Sequence, residues 1–253
     1  MGGEVLAGRN AVREALVAGR RRIERVLLSE GAVDRAILDD IQALCRQRGV
    51  PLARARREEL DRLAHDVRHQ GAVAQVSPYP YVDLDEILAL GRERGEPPFI
   101  LALDLLQDPQ NVGSLLRTAE AAGVHGIILP ERRSVGVTPA VSRASVGAVE
   151  HLRVALVTNL ARTLDALKEA GIWVVGVEDL PAAQDYPAAD LDRPLVLVLG
   201  GEGEGMRRLV VDKCDLLVRI PMRGHINSLN VAVAGSLLLY RAWEARQAPE
   251  AAG

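Results

Sequence analysis

Three stretches of this chain set polar side chains and glycines directly behind short apolar runs. The first runs from Asp104 to Ala119: Asp-Leu-Leu-Gln-Asp-Pro-Gln-Asn-Val-Gly-Ser-Leu-Leu-Arg-Thr-Ala. Asp108-Pro109 predicts a turn, Asn111 a helix cap, and Gly113 a close approach to the first helical turn. Arg117 follows about 1.7 turns after Asn111, so its long side chain can still reach the same end. A helix start with an arginine nearby suits a phosphate group; a plain capped helix with a surface arginine fits these residues equally well. The second stretch is Leu199-Gly200-Gly201-Glu202-Gly203-Glu204-Gly205. Its glycines imply a tight bend or a ligand close to the backbone. It lacks the Lys-Ser/Thr ending of a phosphate-binding loop and the GxGxxG spacing of dinucleotide binders. Glu202 and Glu204 would repel phosphates, so a neutral or cationic ligand, or a hydroxyl donor, suits it better; a tight turn before Met206–Val211 is the plain alternative. The third stretch is Ile220-Pro-Met-Arg-Gly-His-Ile-Asn-Ser-Leu-Asn-Val231, where Ser228 can cap a terminal helix with Asn230 in its first turn.

Apolar strands alternating with helices must position these loops. Phe99–Leu103, Gly126–Leu129, Trp173–Val177, Leu195–Leu199 and Asp215–Ile220 read as strands. Val112–Ala122, Pro139–Ser145, Leu160–Ala170 and Val231–Ala245 read as helices. Such a pattern predicts an α/β fold with a parallel sheet covered on both faces, which binds ligands beyond the carboxyl ends of its strands. The front of the chain reads as a smaller α/β module. Helices are expected around Val12–Leu16, over Asp34–Arg48 with a stop at Gly49, and over Glu58–Ala64; strands are expected at Arg25–Ser29 and Gly71–Val76. Ser77-Pro78-Tyr79-Pro80-Tyr81 cannot continue a helix or a central strand, so a boundary is expected there, with Asp83–Arg94 as a linker helix.

The ordered set Asp-Pro-x-Asn-x-Gly-x-x-x-Arg-x-Ala, Leu-Gly-x-Glu-x-x-Gly and Ile-Pro-Met-x-Gly-x-x-x-Ser-Leu-Asn-Val-Ala resembles the three motifs of the SpoU (TrmH-like) RNA ribose 2′-O-methyltransferases of the SPOUT superfamily. Gly8-Arg-Asn-Ala-Val and His69-Gln70-Gly71 resemble the ends of that family's small L30e-like substrate-binding domain. The resemblance implies an L30e-like domain over residues 1–77, a linker over 78–98, a methyltransferase domain over 99–247 with a deep trefoil knot, and a tail over 248–253. It implies S-adenosylmethionine as cofactor, held at Leu199, Gly200, Gly205, Ile220, Pro221, Met222, Ser228 and Leu229. The implied catalytic set is Arg117, Asn111, Glu202, Ser228 and Asn230. Arginine stays charged, so binding substrate phosphate and stabilising a developing alkoxide suit Arg117 better than acting as a base. The two-domain layout looks most like the branch that methylates a guanosine of 23S ribosomal RNA. Transfer RNA, a resistance-conferring ribosomal adenosine, or a non-catalytic RNA-binding role in ribosome assembly are the alternatives. A homodimer with sites completed across its interface is implied as well.

Charge supports an RNA partner for the front module. The whole chain carries a net charge of −3, which excludes a wholly basic nucleic-acid-coating protein. Residues 1–77 nevertheless hold 14 arginines against 11 acids, leaving the remainder at −6. Arg20, Arg21, Arg22, Arg54, Arg56 and Arg57 form two clusters able to contact RNA phosphates; solvated helix ends are the plain alternative. Aromatics make up 3% of the chain, so base stacking on an aromatic platform is not expected. Cys45 and Cys214 are far apart, which suggests free thiols and no metal cluster. No secretory signal or membrane-spanning run is read, so a cytoplasmic location is expected, without a membrane or DNA partner.

Overall fold

The computed structural model describes residues 3–30, 35–65, 67–201, 203, 205–226 and 228–247. Contacts divide the chain into two units, Met1–Pro80 with Val137–His151, and Tyr81–Gly136 with Leu152–Gly253.

The first unit begins with β1 (Glu4–Ala7), α1 (Arg9–Ala18), β2 (Ile23–Ser29), α2 (Arg35–Arg48), β3 (Leu52–Ala55), α3 (Arg57–Ala64) and β4 (Ala72–Val76). The sheet order is β1-β4-β2-β3, with β4 antiparallel to both neighbours and β2 parallel to β3. Apolar spacing decides which helix faces turn inward: α1 buries Ala11, Val12, Ala15 and Leu16, and α2 buries Leu38, Ile41 and Cys45. These side chains close over Leu6, Val26, Leu28 and Ala74 on one sheet face. Leu60 and Ala64 of α3 cover Ala7, Leu27 and Val73 on the other. The predicted stop at Gly49 falls where α2 ends, and Gly49 takes a left-handed φ of 65°. The two front motifs meet in space. Gly8 donates its N–H to Ala72 O at 3.0 Å, while the buried His69 accepts from Gly71 N–H at Nδ1 (3.0 Å) and faces Asp61 through Nε2 (3.0 Å).

The second unit opens with α4 (Leu84–Arg94), whose start is fixed by an Asp83–Glu86 capping box. Then come β5 (Phe99–Asp104), α5 (Pro109–Ala121) and β6 (Gly126–Pro130). The chain next crosses to the first unit as α6 (Pro139–Ala144) and a short 3-10 turn, Ala148–His151. It returns as β7 (Val154–Val157), α7 (Leu160–Glu169), β8 (Trp173–Val177), β9 (Gln184–Asp185), β10 (Leu195–Gly200), α8 (Arg208–Val211), β11 (Leu216–Arg219) and α9 (Val231–Gln247). All seven strands run parallel, in the order β7-β6-β5-β10-β8-β11-β9. The expected α/β architecture is borne out. Every residue of β5, β6 and β10 is buried, as their unbroken apolar runs require. β1, β3, β7 and β9 were not anticipated; each is four residues or fewer. The tail at 248–253 lies outside the described residues.

Candidate functional site

Register brings the three loops to one end of the sheet. On β10, Leu199 lies opposite Leu103 of β5 and Val177 of β8, and Gly200 lies opposite Asp104. On β11, Val218 lies opposite Val177. The carboxyl ends of three parallel strands, β8, β10 and β11, face one space, a cavity of about 750 Å³. It is lined by Leu199, Gly200 and Gly205, by Ile220 and Met222, and by Ser228, Leu229 and Asn230. Seven of the eight expected cofactor positions thus line one cavity. Pro221, the eighth, is exposed and outside the lining.

Steric demands explain the glycine loop. A Cβ on Gly200 would lie 2.1 Å from the carbonyl carbon of Gly205, so only glycine lets the strand fold back so closely. Gly205 has a left-handed φ of 66°, and its N–H donates to Gly201 O at 3.1 Å. Glu178 stands against the same glycine, where an added Cβ would meet its Oε2 at 2.5 Å. That oxygen accepts from Met206 N–H at 2.9 Å. Asp104, fully buried, accepts from Arg207 N–H and Nε at 2.9 Å each and from Nη2 at 2.6 Å. Glu178 and Asp104 thus pin the segment that leaves the loop. Sequence reading missed both. The available signal was that each ends or follows a strand, β5 or β8, at the carboxyl end of the parallel sheet.

The caps differ from expectation. Asp108, not Asn111, caps α5: its carboxylate accepts from Gln110 N–H at 3.1 Å and Asn111 N–H at 3.2 Å, and Pro109 takes the first helical position. Likewise Asn230, not Ser228, caps α9, with Oδ1 accepting from Ala232 N–H (2.9 Å) and Val233 N–H (3.3 Å). Asn111 is thereby released from capping, and Asn230 Nδ2 donates to its Oδ1 at 3.0 Å. Two expected catalytic positions, 119 residues apart, are in contact. α9 approaches α5 closely enough that a Cβ on Gly235 would meet Leu115 Cδ2 and Leu199 Cδ1 at 2.4 Å each.

Arg117 is not brought to the cavity of its own chain. It lies about 120° around α5 from Asn111 and about 9 Å along it, and it is exposed. Its side chain makes no hydrogen bond or ion pair with the described residues. Glu202 lies outside the described residues.

Of the six arginines expected to meet RNA, Arg22, Arg54, Arg56 and Arg57 are exposed. Arg21 requires correction. Its guanidinium is 0% exposed and binds Glu150 Oε2 at 2.8 Å, Glu4 Oε2 at 2.7 Å and Ser142 Oγ at 3.4 Å, so no donor face is left for RNA. Arg20 is half-buried and donates to Tyr79 Oη at 3.1 Å and Pro80 O at 3.2 Å. Burial pushes the Tyr79 hydroxyl up to about 12, so it stays protonated and donates to Val149 O at 3.2 Å.

Residues 98–240 match the model of the SpoU rRNA methylase family, and residues 5–82 match that for RNA 2′-O ribose methyltransferase substrate binding. The chain is 45% identical over 243 residues to YacO of Bacillus subtilis, assigned to the TrmH family of tRNA/rRNA methyltransferases; 96% of each chain is covered. Solved structures similar at 26% identity include two complexes with AdoMet. The AdoMet complex of the SpoU methyltransferase AviRb of Streptomyces viridochromogenes gives a TM-score of 0.78, covering 97% of this chain and 91% of that one. The AdoMet-bound rRNA methyltransferase of Sinorhizobium meliloti gives 0.77, covering 96% and 87%.

Proposed function

This chain belongs to the SpoU rRNA methylase family, and on that premise we propose that it is an enzyme that methylates a ribose 2′-hydroxyl of structured RNA with S-adenosylmethionine. A guanosine of 23S ribosomal RNA is the target we favour, in the cytoplasm. Among the described residues, no helix is long and apolar enough to cross a membrane. The observation that carries this reading is the cavity where glycine loop, Ile220–Met222 and Ser228–Leu229 converge beside the Asn111–Asn230 pair.

The residues fit the cofactor. No lysine lines the cavity, while Glu178 and Asp179 do; Arg219, also in the lining, is paired with Asp185 at 2.8 Å. That balance suits a sulfonium cation and disfavours a nucleotide phosphate. Backbone groups beside Gly200, Ile220 and Leu229 can read an adenine edge while Leu199 and Leu229 provide apolar walls. When bound, S-adenosylmethionine supplies the electrophilic methyl group.

The chain's residues must then orient the hydroxyl and manage its proton. The amide pair of Asn111 and Asn230 is fixed by the α9 cap and can hold backbone or ribose; Ser228 and Glu202 shape the site around the sugar. Arg117, always cationic, binds the substrate phosphate, which takes up the hydroxyl proton, and stabilises the oxygen as it attacks the methyl group. A homodimer explains its placement. On α9, Val233, Leu237, Tyr240 and Trp243 form a stripe at helical spacing that is 39–50% exposed. With Ser114 of α5 and Tyr186, its first three members line a groove of about 730 Å³. A second copy seated there would cover the stripe and bring Arg117, three residues beyond Ser114, to the partner's cavity.

Labelled methyl transfer to ribosomal RNA, followed by mapping of the modified nucleotide, tests the activity. Arg117→Ala is expected to abolish transfer while leaving S-adenosylmethionine binding nearly intact; substantial residual turnover rejects its role. Leu237→Glu is expected to sediment as a monomer and to lose turnover. A fully active monomer would reject the shared site.

A further inference from the structure

A second cavity, of about 500 Å³, lies on the other side of the glycine loop. It shares Gly201, Gly205 and Val231 with the larger one and adds Leu105, Gln107, Asp108, Asn111 and Arg133. Two of its wall residues are held in left-handed backbone that side chains disfavour, Leu105 at φ 62° and Arg133 at φ 59°. Such strain persists only where the surroundings impose it. Here the surroundings are visible. Val135 N–H donates to Leu106 O at 2.9 Å, Ser134 Oγ to the same oxygen at 3.1 Å, and Gln107 Nε2 to Arg133 O at 3.5 Å. The loop after β6 is thereby tied to the loop after β5, and Arg133 is fixed at the cavity wall.

Its guanidinium is unspent. Arg133 is exposed and makes no side-chain hydrogen bond or ion pair with the described residues. Among the described residues of this wall, the one acid, Asp108, is committed to two backbone N–H groups of α5. A cation so placed calls for an anion from outside the chain. In RNA, the ribose 2′-hydroxyl adjoins its own 3′-phosphate, and a guanidinium fork matches that group in two hydrogen bonds. Asn111 connects the cavities, since it lines this one while bonded to Asn230 of the other.

We propose that the second cavity seats the target nucleotide and that Arg133 holds it there by binding the adjoining RNA phosphodiester. The proposal rests on the methyltransferase reading above and adds a substrate-binding residue to it.

Arg133→Gly removes the cation and relieves the strained backbone, so the variant should melt no lower than the wild type. It is expected to bind S-adenosylmethionine unchanged and to raise KM for ribosomal RNA about tenfold or more. The slope of log affinity against log salt should fall by about one phosphate contact. Arg133→Lys keeps the charge without the fork and should fall between the two. An unchanged KM and salt slope in Arg133→Gly, with an active wild type, overturns the proposal. A raised KM with an unchanged slope overturns the phosphate assignment in favour of a base contact. A wild type that transfers no methyl group to RNA at all refutes the functional reading instead.

Discussion

Asn230 does two jobs with one amide. Its oxygen ends the orphan N–H groups of α9, and its nitrogen reaches Asn111. Asn230→Ala should therefore cost about 1 kcal/mol of stability through the lost cap. Asn111→Ala, which spares the cap, should cost less, yet both should lower kcat. Urea titration beside single-turnover rates separates the two; equal stability losses would remove the cap from the argument. These residues were legible in the sequence as chemistry but not as geometry. Asp108 and Asn111 are both good cap acceptors, and only Pro109 in the first helical position shows which one starts the helix. Arg117 was expected to reach the helix start, but six residues turn it about 120° away, so length of side chain could not replace direction.

At the scale of elements, apolar runs announced the buried strands because a strand covered on both faces needs no alternation. β3 and β7 hold only four residues each, too few for a period to emerge. The glycine loop was legible as a bend, whereas its props, Glu178 and Asp104, read as ordinary charges until the sheet placed them on either side of β10. Gly200→Ala forces a carbon against the Gly205 backbone, which has no flexible end to move aside. The loop must open, at a cost of about 1–3 kcal/mol, and S-adenosylmethionine affinity should fall with it. Calorimetric titration showing wild-type affinity would contradict this. A pH effect belongs to the starts of β5 and β6. His125 Nδ1 accepts from Phe99 N–H at 3.0 Å and Nε2 lies 2.9 Å from Glu96, which requires a neutral ring. Burial lowers its pKa below the ordinary value, against the opposing pull of Glu96. The unfolded chain therefore takes up the proton first as pH falls. Stability from this group is complete above about pH 6.5 and declines below it, by at most about 1.4 kcal/mol per pH unit. His125→Asn should lose less in melting temperature between pH 7.5 and 5.5 than the wild type. Parallel declines would rule out His125 as the cause.

At the scale of the molecule, the chain enters its first unit twice. The break between the units after Pro80 falls within the proline-rich Ser77–Tyr81 and near a change in charge, both of them local signals. The return over Val137–His151 has no such signal, since its anchor joins residues 129 apart that each read as a surface charge. Arg21 and Glu150 are 0% and 1% exposed in their side chains, and burial pushes the Glu150 carboxyl up against the pull of Arg21. A pair taken so completely out of water adds little over an apolar replacement, but removing one partner strands the other. Glu150→Ala should thus cost about 3 kcal/mol, the lower end for a broken buried pair, because Arg21 keeps Glu4 at 2.7 Å. Adding Arg21→Met to Glu150→Ala should recover part of that loss, since no cation is then left without its partner. Urea unfolding of the two single variants and the double variant measures the coupling. If the losses simply add, the pair does not anchor Val137–His151, and the packing of α6 and Tyr79 must do so instead.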